Sequence, residues 1–242
     1  MIERAGAQSL FYVYVAALVV FAIVAIPLRG DAHDLRLPRL SGIGVVLRHV
    51  PLARFFAAAI LVWSASMGIN WYFSIHLLEL GAPGELVGAA WAIGATVEIP
   101  IMTSYPWLAA RVGTERLLVV GAAALALRAL AITLVSDPIL VTLTMVLHGI
   151  GFSLMLVGGV TYVSRHAPPA TAATAQGVLS AVVFSLALII GPGVGSFIAG
   201  WLSPTAMFVV ASLASLLAIP ILWLTIVREP RQGQLRAAQS AD

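Results

Sequence analysis

The sequence predicts an all-α integral membrane protein with about seven transmembrane helices, and three observations carry that expectation. Of 242 residues, 61% are hydrophobic and only 10% charged, with a mean hydropathy of +1.03. Soluble domains carry about 25% charged residues. Seven apolar stretches are each long enough to cross the roughly 30 Å of a bilayer's hydrocarbon, which takes about 20 helical residues. Finally, all thirteen basic residues are arginine, and eleven of them fall on alternate connections between those stretches.

The first stretch runs over about 9–28. Its apolar region is too long for a signal peptide, and Glu3 balances Arg4 ahead of it, so 1–28 reads as a single transmembrane helix. Residues 29–54 are the only long connection. They open with Arg29-Gly-Asp-Ala-His-Asp34, hold five arginines, and read as a hinge loop. The second span, 55–79, stops at the turn signal Gly81-Ala82-Pro83-Gly84, and the third and fourth cover 86–110 and 117–136. Asp137-Pro138 pairs a cap with a first-turn proline and starts the fifth, 138–163. Pro168-Pro169 separates it from the sixth, 175–200, and Ser203-Pro204 opens the seventh, 204–227. Residues 55–227 therefore read as a six-helix bundle, with 228–242 as a tail.

The arginines orient the bundle. Arg29 through Arg54, Arg111, Arg116, Arg165 and the tail arginines Arg228, Arg231 and Arg236 share one side; Arg4 alone is on the other, and Arg128 lies inside a span. The positive-inside rule puts the 29–54 loop and the C-terminus in the cytoplasm and the N-terminus outside a cell membrane. The net charge of +3 thus belongs to topology, and nucleic acid is not an expected partner. Other classes fall away on residue content. There is no cysteine for thiolate chemistry and no lysine for a retinal-type Schiff base. HExxH is missing and His148 has no second histidine four residues away, so no metal is expected. Gly151-Phe-Ser153 is half of a rhomboid-like serine motif, but no later span offers a histidine base. No nucleotide-binding fingerprint occurs, and neither enzyme chemistry nor a cofactor is expected.

Glu98, Arg128 and His148 carry the functional argument. Each sits near the middle of a different span, although a charge at the bilayer centre costs about 2.5–3.5 kcal/mol on insertion scales. At about 1.5 Å per residue they lie roughly 18, 16 and 15 Å from the starts of their spans, converging on the midplane. Arg128 needs an anionic partner or substrate, and Glu98 is the only carboxylate deep in any span, so a Glu98–Arg128 pair is the economical expectation. A substrate or helix movement that separates the pair then favours proton uptake by Glu98. His148 is a candidate to hydrogen-bond substrate or share the proton. Asn70 and Tyr72 are second-tier candidates for lining a cavity, together with Trp91, whereas Trp107 and Trp201 read as interfacial anchors and His76 and Glu79 as headgroup-level groups. Pro100 removes a backbone hydrogen bond two residues beyond Glu98 and is expected to bend its helix. Gly191-Pro192-Gly193-Val-Gly195 combines bending with close helix approach, as a hinge or as packing. The alternative for the polar residues is structural: interhelical polar contacts also occur in proteins that transport nothing.

Several segments resemble the C-terminal half of a major facilitator superfamily transporter, preceded by the last helix of its N-terminal half. Trp91-Ala-Ile-Gly-Ala-Thr-Val-Glu98 is similar to the eighth helix of the lactose-permease-like and phenylpropionate-transporter-like group. Arg111-Val-Gly-Thr-Glu-Arg116 resembles the second copy of the superfamily's short cytoplasmic signature. Leu127-Arg128 falls where the ninth helix carries its arginine, Leu147-His148-Gly-Ile-Gly-Phe152 matches the histidine motif of the tenth, and Ala175-Gln176-Gly-Val-Leu179 opens the eleventh. The Gly191–Gly195 segment is similar to gating-helix motifs. The resemblance implies that the spans are equivalents of helices six to twelve, that two six-helix halves built from inverted repeats face a central cavity, and that His148 binds substrate. Two positions depart from the pattern. Gly151 stands where lactose permease has a second acidic residue, and Leu156 where phenylpropionate-type relatives have a further histidine.

The expected function is proton-coupled symport of a small organic solute, an aromatic carboxylate, sugar or nucleoside, with Arg128 favouring an anion. Expected partners are that solute, protons, the lipid bilayer, and a missing N-terminal six-helix half or an equivalent chain. The alternatives are a helix-bundle or receptor-like subunit that acts through a partner without transport of its own, and a truncated product with no independent activity.

Overall fold

The computed structural model describes residues 7–26 and 42–224. The chain divides into two compact units, Met1–Leu37 and Pro38–Asp242, which are taken separately. In the first, α1 (Ala7–Ala25) is an apolar helix of 19 residues whose described side chains are exposed. Arg4, Glu3, most of the expected hinge loop and the 228–242 tail lie outside the described residues.

The second unit contains α2 (Ile43–Arg48), α3 (Val50–Glu79), α4 (Gly84–Val112), α5 (Thr114–Leu134), α6 (Pro138–His166), α7 (Ala172–Ala181), α8 (Ala187–Trp201) and α9 (Pro204–Leu222). A 3₁₀ turn at Pro169–Thr171 leads into α7, and a π-helical turn at Val182–Leu186 joins α7 to α8, so Pro169–Trp201 is one continuous span. Among the described residues, six helices are long and apolar enough to cross a membrane. The protein is a multi-pass membrane protein; the six spans lie close to the second to seventh expected stretches, and the expected first stretch, 9–28, is not among them.

Local signals explain most boundaries. Asp137 Oδ1 accepts from the Ile139 and Leu140 amides, 2.9 Å each, and caps α6, while Ser203 Oγ accepts from the Ala206 amide and caps α9. Gly81 and Gly113 adopt φ of 83° and 90° at the turns into α4 and α5. The expected loop 29–54 needs correction over its second half: Ile43–Arg48 is helical, Val46 is fully buried, and α3 already begins at Val50. Pro51 reads as a breaker in the sequence, but it stands in the first turn of α3, where its missing N–H costs nothing.

Two large apolar clusters and a small one of Tyr105, Leu117 and Leu154 fill the bundle. Of the large ones, the first is built around Phe55, Trp63, Leu118, Met155 and Tyr162, the second around Phe73, Ala129, Ile132, Met145 and Phe208. Between bilayer-embedded helices such packing gains by dispersion, and small residues are what let backbones approach. Glycines set the two closest crossings of α6. A Cβ on Gly149 would lie 2.8 Å from the Gly94 carbonyl oxygen of α4, and one on Gly151 would lie 2.9 Å from the Gly121 carbonyl oxygen of α5. The helix between α4 and α5 is therefore α6, and it is held against both.

Candidate functional site

The α6 crossings bring the polar residues together. Asn70 comes from α3, Glu98 from α4, Arg128 from α5 and His148 from α6. Arg128 is 1% exposed and His148 4%, while the Glu98 side chain is 25% exposed. The Arg128 Nη1 donates to Asn70 Oδ1 at 2.8 Å and lies 3.3 Å from His148 Nδ1, and Nη2 points at Met145 Sδ, 3.4 Å away. The guanidinium also lies over the Phe73 ring, 5.2 Å from its centroid. On the far side of the imidazole, His148 Nε2 is 3.8 Å from Glu98 Oε1. The four side chains form a row: amide, guanidinium, imidazole, carboxylate.

The row fixes a tautomer. Arginine only donates, so His148 Nδ1 must accept from Arg128, and a neutral imidazole then carries its proton on Nε2. That N–H faces Glu98. At 3.8 Å the contact is longer than a hydrogen bond.

The expected Glu98–Arg128 pair is not formed. The physical reason is the order of the helices: α6 separates α4 from α5, so the carboxylate and the guanidinium each reach the imidazole instead of one another. Among the described residues, Arg128 has no carboxylate partner, and its buried Nε has no hydrogen-bond acceptor. The glycine that departs from the lactose-permease pattern is explained by the same packing. A Cβ at position 151 would meet Leu125 Cγ at 2.6 Å; no acidic side chain fits there while α5 and α6 stay this close.

The remaining expectations divide. Asn70 belongs to the row, whereas Tyr72 is half-buried among apolar neighbours of the second cluster and is not brought to it. Trp91 Nε1 donates to Ser74 Oγ at 3.1 Å, and its ring stands edge-on to Phe73 and His148, with centroids 5.9 and 6.3 Å apart. Trp107 and Trp201 are exposed, and the Arg111 guanidinium lies 4.1 Å over the Trp107 ring. His76 is packed against Phe208, with ring centroids 4.9 Å apart. Helix α4 runs through Pro100 and Pro106, and Ser104 Oγ donates to the Pro100 carbonyl at 2.6 Å. Gly191 and Gly195 face α3 and α9: a Cβ on Gly191 would overlap the Ser64 carbonyl, and one on Gly195 would meet Met207 Sδ at 3.1 Å. Pro192 is half-buried beside them. Sequence reasoning missed Met145, Phe73 and Phe152, which line the row. Their signal is helical spacing: Phe73 is three residues from Asn70, and Met145 and Phe152 flank His148 by three and four.

Among the described residues, no group of three or more His, Cys, Asp or Glu could hold a metal ion.

A family model described as "MFS_1 like family" matches residues 3–210. Among curated proteins, the maltose permease of Geobacillus stearothermophilus is 27% identical over 230 residues, covering 90% of this chain and 58% of the permease. Among solved structures, a crystal structure of the nucleoside transporter NupG aligns with a TM-score of 0.68 at 16% identity, covering 82% of this chain and 54% of that one. That second likeness is one of fold. The chain spans little more than half the length of these two proteins.

Proposed function

This chain belongs to the MFS_1-like family of the major facilitator superfamily and has the helical make-up of half of that fold, and we propose that it works as the C-terminal part of a proton-coupled symporter for a small organic solute. The solute is a sugar, nucleoside or aromatic carboxylate, carried by alternating access. A preceding six-helix half, or a chain equivalent to it, supplies the other wall of the cavity. In a cell membrane the N-terminus lies outside, with the C-terminus and the segment ahead of α3 in the cytoplasm, as the arginine distribution indicates.

The observation that carries this reading is the buried row Asn70–Arg128–His148–Glu98. A guanidinium without a carboxylate partner is costly in a low-dielectric interior, and a protein that only needed to pack its helices has no use for it. In the proposed cycle, Glu98 at the open end takes a proton together with the solute. When the solute leaves, His148 swings aside and the Glu98 carboxylate moves toward Arg128, which favours release of the proton. Arg128 thereby alternates between neutral acceptors and an anion, and a population shift between two helix arrangements follows proton occupancy.

The test is Glu98→Gln in proteoliposomes. Proton-driven accumulation is expected to disappear while solute exchange down its own gradient survives. Undiminished uphill uptake would rule out Glu98 as the proton carrier. A wild type that moves no solute, with its preceding half present, would favour a helix bundle acting through a partner.

A further inference from the structure

Serine and threonine hydroxyls inside a membrane-spanning helix satisfy themselves on the carbonyl one turn earlier. Thr96, Thr103, Ser104, Thr133, Thr161 and Ser212 each donate to the carbonyl four residues back, at 2.6–2.9 Å. Ser64 does not. It is 9% exposed, and among the described residues its hydroxyl has no hydrogen-bond partner. The hydroxyls of Ser66 and Thr142 share that condition, but those two residues do not line the cavity between α3, α8 and α9, and Ser64 does.

That cavity has a volume of about 170 Å³. Buried small residues form its floor: Ala65 and Gly68 on α3, Gly191 and Gly195 on α8, and Ala211 on α9. Ile190, Val194 and Val210 are exposed at its rim. Ser64 lies near the middle of the 30-residue α3, about 21 Å along a helix of about 45 Å. At that depth the surroundings are hydrocarbon, and a bare hydroxyl has no water to turn to. Asn70, Glu98, Arg128 and His148 do not line the cavity, so it is distinct from the polar row.

An occupant has to answer both features. A dry apolar cavity of about 150 Å³ takes benzene, so this one has room for a six-membered ring with a substituent. The Ser64 hydroxyl calls for an oxygen acceptor on that ring. The end of a lipid chain would fill the volume and leave the hydroxyl unpaired. We propose that the cavity is a second binding site, for a small neutral ring compound carrying one oxygen, such as a phenol or a cyclic alcohol. The compound comes from the bilayer, packs its ring on Ile60, Leu61, Val194 and Ile198, and accepts a hydrogen bond from Ser64. This site does not depend on the carrier reading above.

The experiment uses the carrier with its preceding half present, in lipid nanodiscs, and follows 4-fluorophenol and fluorobenzene by fluorine NMR against empty nanodiscs. A saturable, protein-dependent signal is expected for both, with Kd about three- to ten-fold lower for 4-fluorophenol, the worth of one hydrogen bond. Ser64→Ala is expected to remove that advantage and leave the fluorobenzene Kd unchanged. Ala211→Phe is expected to fill the cavity and abolish both signals. Should Ala211→Phe fail to fold, Ser64→Ala still separates the hydrogen bond from general partitioning. No saturable signal in wild type overturns the proposal, since a lipid chain or the preceding half then occupies the cavity. Equal affinity for the two probes overturns it, as does binding that is indifferent to Ser64→Ala. Glu98→Gln is expected to leave the 4-fluorophenol Kd unchanged; a shift there would put the probe at the polar row and overturn the second site, whereas a loss of accumulation in that variant bears on coupling alone.

Discussion

The crossing of α4 with α6 and the crossing of α3 with α8 are made in the same way, yet only one of them carries charge. At the first, a Cβ on Gly149 would lie 2.8 Å from the Gly94 carbonyl oxygen; at the second, one on Gly191 would lie 2.8 Å from the Gly68 amide nitrogen. Beside the first stand Glu98 and His148. Beside the second lies an open cavity of about 170 Å³ lined by Ile60, Leu61, Ala65, Val194, Ile198 and Ala211, with the Ser64 hydroxyl unpartnered at its edge. Close approach of two helices is therefore a structural device indifferent to function. What it produces depends on the residue one turn away: polar groups next to a glycine contact are pressed into register, and apolar ones leave a notch.

Substituting the glycines separates the two uses. Gly191→Ala has the largest expected effect on stability, because the new methyl group would overlap the Ser64 backbone, which cannot rotate away. A loss of about 3 kcal/mol is expected, the upper part of the overpacking range, read as a lowered unfolding midpoint in detergent with solute affinity unchanged in the folded fraction. Gly149→Ala meets the Val97 side chain as well as backbone, and side chains can give. About 2 kcal/mol is expected there, but with solute affinity lowered too, since His148 is the next residue and moves with the helix. Equal affinity losses in the two variants would erase the distinction, and would support the hinge reading of Gly191.

The row itself is the next point of attack. Asn70→Leu removes the neutral acceptor of a buried guanidinium and is expected to cost about 1–3 kcal/mol, measured as the same midpoint shift. Asn70→Asp should recover that loss by giving Arg128 a permanent anion. It should also abolish accumulation, because Arg128 is then no longer free for Glu98. Recovered stability together with wild-type accumulation would mean that the exchange of partners at Arg128 is not part of coupling.

How much of this was legible beforehand follows the range of the interactions. Spans and caps are local: hydropathy, Asp137 before Pro138, Ser203 before Pro204. The three midplane ionisable residues were legible because such residues are rare in hydrocarbon. Their pairing was not, since it depends on which helix lies in the middle. That order is set by Gly94 with Gly149 and Gly121 with Gly151, contacts between positions far apart in sequence whose glycines look like any others. Helix α2 and the early start of α3 were hidden for a different reason. Arg48, His49, Pro51 and Arg54 have loop composition, and only the burial of Val46 and Leu52 shows that the segment packs. The π-helical turn at Val182–Leu186 has no composition signal; its VVFSL sequence suits an α-helix as well.

Pro100 gives the smallest expected stability change and the finest test of the comparison. It lies two residues beyond Glu98 on α4, a helix that packs mainly on α6 and leaves most of its surface open. Without an amide hydrogen, Pro100 leaves the Thr96 carbonyl short of its intrahelical donor. The Thr96 hydroxyl turns back to the Ala92 carbonyl, 2.7 Å away, so it does not fill that gap. Pro100→Ala restores one backbone hydrogen bond and is expected to gain about 1 kcal/mol in midpoint stability. If the missing bond serves movement of Glu98 between His148 and Arg128, the same variant should turn over several-fold more slowly with KM unchanged. The equivalent loss of flexibility on the apolar side, Pro192→Ala in α8, should then leave turnover as it was. Slower turnover in both variants would mean that the α3–α8 crossing moves during transport, and the contrast between the two crossings would be one of chemistry alone, not of motion.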